Sequence, residues 1–114
     1  MNDCIFCKIL KGEIPSTKVY EDDKVYAFND INPEAPVHVL IIPKEHIANI
    51  NELNESNASV ISHIFLVAKD IAKQLGIAED GYRIVSNCGK NGGQTVFHIH
   101  FHLLGGKSLN CSMA

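Results

Sequence analysis

Three histidines stand at alternate positions late in the chain, and their type and spacing could do chemistry. They are His98, His100 and His102, separated by Ile99 and Phe101. Successive side chains of a β-strand point to opposite faces, so the pattern predicts three imidazoles on one face, roughly 7 Å apart along it. Imidazole titrates near neutral pH and can act as a nucleophile, a proton carrier or a metal ligand. Half of the six histidines of the chain lie here, so we interpret the segment as reactive.

A loop rich in glycine and polar residues, 89–95, comes directly before the histidines. Backbone N–H groups of such a loop can point together at one anion, as they do in phosphate-binding nests. A neutral imidazole is a competent nucleophile toward phosphorus, and a second imidazole can protonate a leaving group. Loop and histidines together predict phosphoryl or nucleotidyl transfer through a covalent histidine intermediate, with no requirement for Mg²⁺.

Two other interpretations use the same three histidines. In a metal-dependent hydrolase, His98, His100 and His102 would be metal ligands. That reading is weaker, because no acidic residue flanks them at ligand spacing and alternate residues of a straight strand rarely converge on one ion. A nucleotide-binding or partner-binding module with secondary hydrolase activity would use the same side chains, and the residues leave this alternative open.

The elements that must position these residues follow from periodicity and turn signals. An apolar stripe of period 3.6 predicts one long helix over residues 56–75, with Asn54 or Ser56 at its start and Gly76 at its end. A short helix is predicted over 4–11. Alternating or β-prone runs predict five strands, at 17–21, 25–28, 37–42, 82–86 and 96–104. The expected fold class is α+β, with an antiparallel meander sheet of about five strands.

Length and composition fit a single domain spanning residues 1–114, of which 46% are hydrophobic and 20% charged. A net charge of −3 argues against a broad surface for nucleic acid or for anionic membranes. We see neither a signal peptide nor a membrane span, and we expect a cytoplasmic protein. In that compartment Cys4 and Cys7 are not expected to form a disulfide, and their Cys-x-x-Cys spacing offers two ligands for a metal ion.

The segment from Gly93 to Leu104, GQTVFHIHFHLL, resembles the signature of the histidine triad (HIT) superfamily, in which histidines alternate with hydrophobic residues. Further stretches resemble its Hint branch of purine nucleoside phosphoramidases rather than the dinucleoside polyphosphate hydrolases, which stay an alternative. These stretches are residues 14–15, 20–23, 27–33, 35–46 and 81–87. The resemblance implies a HIT-like fold, a homodimer, and purine nucleoside 5′-phosphoramidates of the AMP–amine type as substrates.

The resemblance also implies roles for individual residues. His100 would attack the α-phosphorus and form a nucleotidyl-histidine that water hydrolyses. His102 would contact the phosphate and assist the leaving group, while His38 would hydrogen-bond within the cluster and manage the proton. The implied substrate-binding residues are Asp30 for the ribose hydroxyls, Asn87, Gly93, Gln94 and Thr95 for the phosphate or leaving group, and Phe6, Phe28 and Ile31 for the base.

The resemblance further implies a structural zinc ion held by Cys4, Cys7, His46 and His98. The alternative is a pair of buried free cysteines with His46 on the surface. The tail, residues 105–114, departs from the best-known Hint sequences, which place a tryptophan near Cys111. That departure leaves the preferred leaving group open.

Overall fold

The structure is a computed structural model that describes residues 3–109, so the end of the tail with Cys111 lies outside the described residues. It confirms the α+β fold with five antiparallel strands, one long helix and a short N-terminal helix. The elements are α1 (Ile5–Leu10), β1 (Lys18–Glu21), β2 (Val25–Asn29), β3 (Val37–Pro43), a 3₁₀ turn (Ile50–Glu52), α2 (Ser59–Gln74), β4 (Tyr82–Val85) and β5 (Phe101–Gly105). Neither helix in this range has the length and hydropathy needed to cross a membrane.

The strands lie in the order β1-β2-β3-β5-β4, with every neighbouring pair antiparallel. Only β1, β2 and β3 follow one another as a meander. The long helix α2 connects β3 to β4 at the far edge, and β5 then returns between them. This order places β3 beside β5, so His38 of β3 lies close to His102 of β5.

One face of the sheet is covered by α2 and forms the main hydrophobic core. The predicted apolar stripe of the helix is confirmed, because its inward residues Ile64, Val67, Ala68, Ile71 and Ala72 are all buried. They belong to the same cluster as the alternate strand residues Val25, Ala27, Val39, Ile41, Phe101 and Leu103. Fully burying side chains of this size stabilises the fold by about 1.5–3 kcal/mol each.

The opposite face of the sheet is divided between a small core and an open region. Phe6 of α1 packs with Phe28, Leu40 and Ile42 in the small core. His38 belongs to the same face of β3 as Leu40 and Ile42, since side chains alternate along a strand. The helix α1 covers only part of this face, and His38, His100 and His102 line a cavity in the remaining part.

The histidine segment is where the predicted elements are wrong. Residues 96–100 are not in a strand, and β5 begins only at Phe101. The segment is held instead by Ile99 N–H, which donates to the Ile47 carbonyl at 2.6 Å, and by the His98 ring, which lies 2.8 Å from the Pro43 carbonyl. The three histidines therefore do not share one straight strand face.

The start of α2 is also later than predicted. The helix begins at Ser59 and not at Ser56, because Asn54 organises a turn before it: its side-chain oxygen accepts the N–H groups of Ser56 and Asn57 at 2.9 and 3.2 Å. The predicted end is close to the observed one. Gly76 follows with φ +77°, a left-handed conformation that closes the helix at little cost only for glycine.

Candidate active site and neighbouring metal cluster

A cavity of about 540 Å³ opens on the face of the sheet opposite α2 and is lined by the β2–β3 loop, the end of β4, His100, and His102 of β5. It brings together most of the residues that the sequence singled out. Those lining it are Asp30, His38, Asn87, Gly93, Thr95, His100 and His102. Gly93 has φ +83°, so a side chain at this position of the wall would be strained.

The proton on the His100 ring is placed by the backbone. Its Nδ1 lies 2.8 Å from the carbonyl oxygen of His98. A carbonyl can only accept, so Nδ1 carries the hydrogen and Nε2 keeps its lone pair. The ring is 6% exposed and packs edge-on against Phe6, with ring centroids 5.1 Å apart. His100 is thus a neutral imidazole with one free nucleophilic nitrogen.

Hydrogen-bond partners also determine which ring nitrogen carries the hydrogen in His38 and His102. Glu34 N–H donates to Nδ1 of His38 at 3.1 Å, so the hydrogen of this ring is on Nε2. That Nε2 is 2.9 Å from Nδ1 of His102, which must accept, and His102 therefore carries its own hydrogen on Nε2. A chain of hydrogen bonds from the backbone leaves His102 as a donor at the cavity.

Burial favours the uncharged form of His100 and His102 at neutral pH. It lowers the pKa of His102 to about 4, with the neighbouring His100 and His38 adding to the effect. It also lowers the pKa of His100, although the hydrogen bond to His98 and the negative charge of Asp30 oppose the shift. Desolvation thus favours the neutral form of both rings, the form in which an imidazole can act as a nucleophile.

Asp30 lines the cavity from the loop between β2 and β3. One carboxylate oxygen accepts the Asn32 N–H at 2.8 Å, and the other lies 3.4 Å from Nε2 of His38. Asp30, His38 and His102 are close enough to hold an ion. However, Nε2 of His38 carries a hydrogen as long as Glu34 donates to the ring, so this group functions as a proton network and not as a ligand set.

Gln94 does not line the cavity. Its side chain is 6% exposed, and its amide nitrogen donates to the carbonyls of Ala48 and Val96 at 2.8 and 3.0 Å. Its amide oxygen accepts the Gly89 N–H at 2.8 Å. All three polar contacts are to backbone, so the structure uses Gln94 to fasten the loop before the histidines.

The expected phosphate nest is not formed by most of this loop. The N–H groups of Gly89, Gly92, Gly93 and Gln94 are hydrogen-bonded to oxygens within the loop. They are not directed at an anion. Among the predicted phosphate ligands, the side chain of Thr95 and the backbone of Gly93 are the parts of the loop that reach the cavity wall.

The three residues expected around a purine base lie away from the cavity. Phe6 and Phe28 are buried and pack edge-on with ring centroids 5.6 Å apart. Ile31 is 88% exposed at the β2–β3 turn. Phe6 and Phe28 form a wall behind His100, and Ile31 is available at the surface next to Asp30.

Sequence reasoning missed two cations in the cavity. Arg83 and Lys107 line its wall together with the anionic side chain of Glu34. Arg83 lies in the family-like stretch 81–87, and its position beside the histidines follows from the pairing of β4 with β5. No periodicity would have identified Lys107. The cavity thus has acidic groups at the β2–β3 loop and basic groups at β4 and the end of β5.

A second cluster, Cys4, Cys7, His46 and His98, lies beside the active site; we call it the metal cluster. Its ligand atoms all lie within 4.8 Å of one another. A tetrahedral zinc ion with ordinary bond lengths separates its nitrogen and sulfur ligands by about 3.3–3.8 Å. The separations between the donors agree: 3.2 Å for the two Nδ1 atoms, 3.3 Å from Cys7 Sγ to His46, and 3.4 and 3.5 Å from Cys4 and Cys7 Sγ to His98.

The protons in the metal cluster also suit a cation. His98 Nε2–H donates to the Pro43 carbonyl at 2.8 Å, so the lone pair on Nδ1 faces the sulfurs. Burial and the neighbouring Cys4 raise the pKa of the Cys7 thiol to about 11, which keeps the thiol protonated unless a cation displaces the proton. Two thiols and two imidazoles are the donor set that zinc prefers, and the residues fit that ion.

Comparison with known proteins agrees with the geometry. The profile of the HIT domain family matches residues 11–109. The purine nucleoside phosphoramidase of Escherichia coli is 49% identical over 112 residues, which cover 98% of this chain and 94% of the relative. A protein of Zea mays named 14 kDa zinc-binding protein is 54% identical over 108 residues, covering 93% of this chain and 84% of the relative. A solved HIT family hydrolase from Clostridium thermocellum superposes with a TM-score of 0.96 at 58% identity, covering 100% of this chain and 99% of that one.

Proposed function

Because the chain belongs to the HIT domain family, we propose that it hydrolyses purine nucleoside 5′-phosphoramidates of the AMP–amine type through a covalent nucleotidyl-histidine intermediate. The observation that carries this proposal is the neutral His100 ring, with Nδ1–H held by the His98 carbonyl and Nε2 free. The name of the Escherichia coli relative supports the substrate class. A dinucleoside polyphosphate is the competing substrate.

In the first step, Nε2 of His100 forms a bond to the α-phosphorus, and the bond from phosphorus to the leaving nitrogen breaks. The electron pair goes to that nitrogen, which leaves as an amine after it gains a proton. His102 donates a hydrogen bond from Nε2–H to a phosphate oxygen at the cavity, and the departing nitrogen takes its proton from a water molecule. The 2.9 Å hydrogen bond from His38 Nε2–H to Nδ1 of His102 keeps the His102 hydrogen on Nε2.

In the second step, water attacks the phosphorus and the bond to His100 breaks, releasing the nucleoside monophosphate. The phosphorylated ring carries a positive charge as long as Nδ1 keeps its hydrogen, and the His98 carbonyl stabilises that form. A charged imidazole is a good leaving group, so hydrolysis needs no metal at this site. The proton released by the attacking water balances the one that the leaving nitrogen took up in the first step, and His100 regains its free Nε2.

Recognition of the rest of the nucleotide uses the two ends of the cavity. The Asp30 carboxylate accepts hydrogen bonds from the ribose diol, and Thr95 and Asn87 hold phosphate oxygens. Arg83 and Lys107 favour a negatively charged substrate in an otherwise acidic protein. With Gln94 committed to the backbone, we assign it no direct contact, and of the three expected base-binding residues only Ile31 is exposed enough to contact the base.

The metal cluster holds a structural zinc ion in this proposal. Its four side chains fill the tetrahedral positions and leave none for a substrate or water, which is typical of structural sites. The name of the Zea mays relative supports the choice of metal. A cytoplasmic location would keep Cys4 and Cys7 reduced and able to bind.

We also propose a homodimer. Apolar side chains are exposed on the outer surface of α2, where Phe65 and Leu66 are 46% and 57% exposed. The neighbouring strand β4 lies at the edge of the sheet and carries the exposed Tyr82. Adjoining exposed apolar residues and an unpaired strand edge are typical of an interface between copies. Light scattering should give twice the chain mass, and Leu66→Lys should reduce it to one chain.

The proposed activity is tested with adenosine phosphoramidate as substrate. We expect His100→Ala to lose hydrolysis by at least about a thousandfold, as removal of a covalent nucleophile does. His63→Gln, a histidine change on the far face, is the matched control and should keep the wild-type rate. Retained activity in His100→Ala would remove the nucleophile assignment, and faster turnover of a diadenosine polyphosphate would replace the substrate class.

A further inference from the structure

His98 belongs to the metal cluster and to the active site at the same time. Its ring is fully buried, with Nδ1 3.2–3.5 Å from the other three donors of the metal cluster. Its backbone carbonyl accepts Nδ1–H of His100 at 2.8 Å. The orientation of the His98 residue therefore decides where the His100 ring finds its hydrogen-bond acceptor.

Phe6 makes a second connection between the same two sites. It lies between Cys4 and Cys7 in the sequence, so two cluster donors fix the helical turn that carries it. Its ring packs edge-on against both His98 and His100, with centroids 6.0 and 5.1 Å away and interplanar angles of 69° and 87°. The metal cluster thus determines the position of the apolar wall behind His100.

The helix α1 and residues 96–100, which connect the metal cluster to His100, both depend on tertiary contacts. The helix α1 has six residues, too few to be stable without tertiary contacts. Residues 96–100 have no strand pairing and are joined to the fold through Ile99 N–H, Gln94, the His98 ring and the His100 carbonyl, which accepts the Ser86 hydroxyl at 3.0 Å. Four bonds to one cation would hold these two segments together far more strongly than the contacts between sulfur and ring nitrogen do.

We propose that metal binding to Cys4, Cys7, His46 and His98 positions the nucleophile, by fixing the His98 carbonyl and the Phe6 ring against His100. His98 and Phe6 are positioning residues, because neither is required to touch the substrate. The inference rests on the proposed nucleophile and on the proposed zinc ion. It predicts that metal loss lowers kcat about 10- to 100-fold, the usual effect of disturbing an outer-shell partner. KM should change less than kcat, since Asp30 and Asn87 lie on other segments.

The test compares zinc-loaded, chelated and zinc-restored full-length protein. Cys4 and His46 line a second cavity of about 470 Å³ at the surface, so a chelator can reach the site. Nuclear magnetic resonance of protein labelled with ¹⁵N-histidine reports the hydrogen on each ring nitrogen, and His100→Gln identifies the His100 signals. We expect one sharp Nδ1–H signal in the loaded protein, mixed tautomers after chelation, and recovery on adding zinc. Cys7→Ser should match the chelated protein, and Cys88→Ser should match the loaded one.

The outcomes separate this inference from its two premises. A chelated protein that keeps the sharp His100 signal and the wild-type kcat would overturn the positioning role. Freshly purified protein without bound metal, and with no zinc uptake, would overturn the zinc proposal and this inference with it. Full activity in His100→Ala would overturn the proposed function, while the tautomer signal would still decide whether the metal orders the ring. If Cys7→Ser does not fold, chelation of the wild type alone gives the decision.

Discussion

Replacing Gln94 by alanine tests whether this residue fastens the loop or binds the substrate. The change removes three hydrogen bonds, to the Gly89 N–H and to the carbonyls of Ala48 and Val96. A typical hydrogen bond contributes about 1 kcal/mol net. Because the partners lie near a surface loop that water can reach, we take that value for each and expect a loss of about 3 kcal/mol.

Such a loss is a large part of the roughly 5–15 kcal/mol that stabilises an ordinary domain. Urea unfolding followed by circular dichroism should show it directly, and the melting temperature should fall by roughly 10–15 °C for a chain of this size. Asn87→Ala is the matched control. Its side-chain amide makes one exposed hydrogen bond, to the Gly92 carbonyl at 2.7 Å, so unfolding should change by less than about 1 kcal/mol.

The refuting result is a Gln94→Ala protein as stable as the wild type, within about 0.5 kcal/mol, the size of an ordinary surface substitution. If that protein also lost kcat/KM, the direct substrate contact implied by the family resemblance would be correct. The structural account predicts the reverse order of effects: stability falls first, and activity falls because the loop that carries Thr95 loosens.

Three further predictions concern stability. Burial alone would raise the pKa of Asp22, but hydrogen bonds from His63, Lys24, Val25 and Tyr20 hold it well below its usual range. Asp22→Asn should therefore lower the free energy of unfolding by about 2 kcal/mol at pH 7. Urea titrations should show this difference shrinking as pH falls below about 4, and no difference at any pH would mean that the carboxylate contributes nothing. Gly105→Ala would place Cβ 2.7 Å from Cδ1 of Ile77 and should lower the free energy of unfolding by about 1–3 kcal/mol. Ile77→Val lacks that atom and should recover part of the loss in the double variant. Additive effects of the two changes would contradict the clash. The pKa of His102 falls to about 4 on folding, so the unfolded chain binds the proton first. The contribution of the neutral His102 ring to the free energy of unfolding is complete above about pH 6.5 and is lost as pH falls toward 4, with a slope of up to about 1.4 kcal/mol per pH unit. His102→Gln should flatten this slope, and an unchanged slope would refute the assignment of the lowered pKa to His102.

Local patterns predicted the elements but not the course of the histidine segment. The apolar stripe of α2 and the β-prone run of β3 depend on near neighbours, and both are found within a few residues of their predicted bounds. The break before Phe101 depends on carbonyls of Pro43 and Ile47, some fifty residues away. No alternation pattern contains that information, which is why the segment looked like a continuous strand.

The candidate site shows the same division. The imidazoles were evident from type and spacing, whereas the position of the hydrogen on each ring followed only from its hydrogen-bond partner. Glu34 contributes a backbone N–H to His38, and a backbone donor leaves no trace in side-chain type. The family resemblance implied that Gln94 holds the phosphate or leaving group, yet its amide is hydrogen-bonded to three backbone groups. The metal cluster was predicted only through the family resemblance, since His46 and His98 stand far from the cysteine pair in sequence.

The most direct test of the account is rapid alkaline quenching of a single turnover, with the enzyme digested and its peptides analysed by mass spectrometry. Adenosine phosphoramidate is mixed with excess enzyme, and alkaline conditions preserve a phosphorus–nitrogen bond to histidine. The account predicts one adenylyl group on His100, appearing before free nucleoside monophosphate and disappearing as the product forms. An adenylyl group on another residue, or product formed through a first turnover without any enzyme-bound nucleotide, would contradict it.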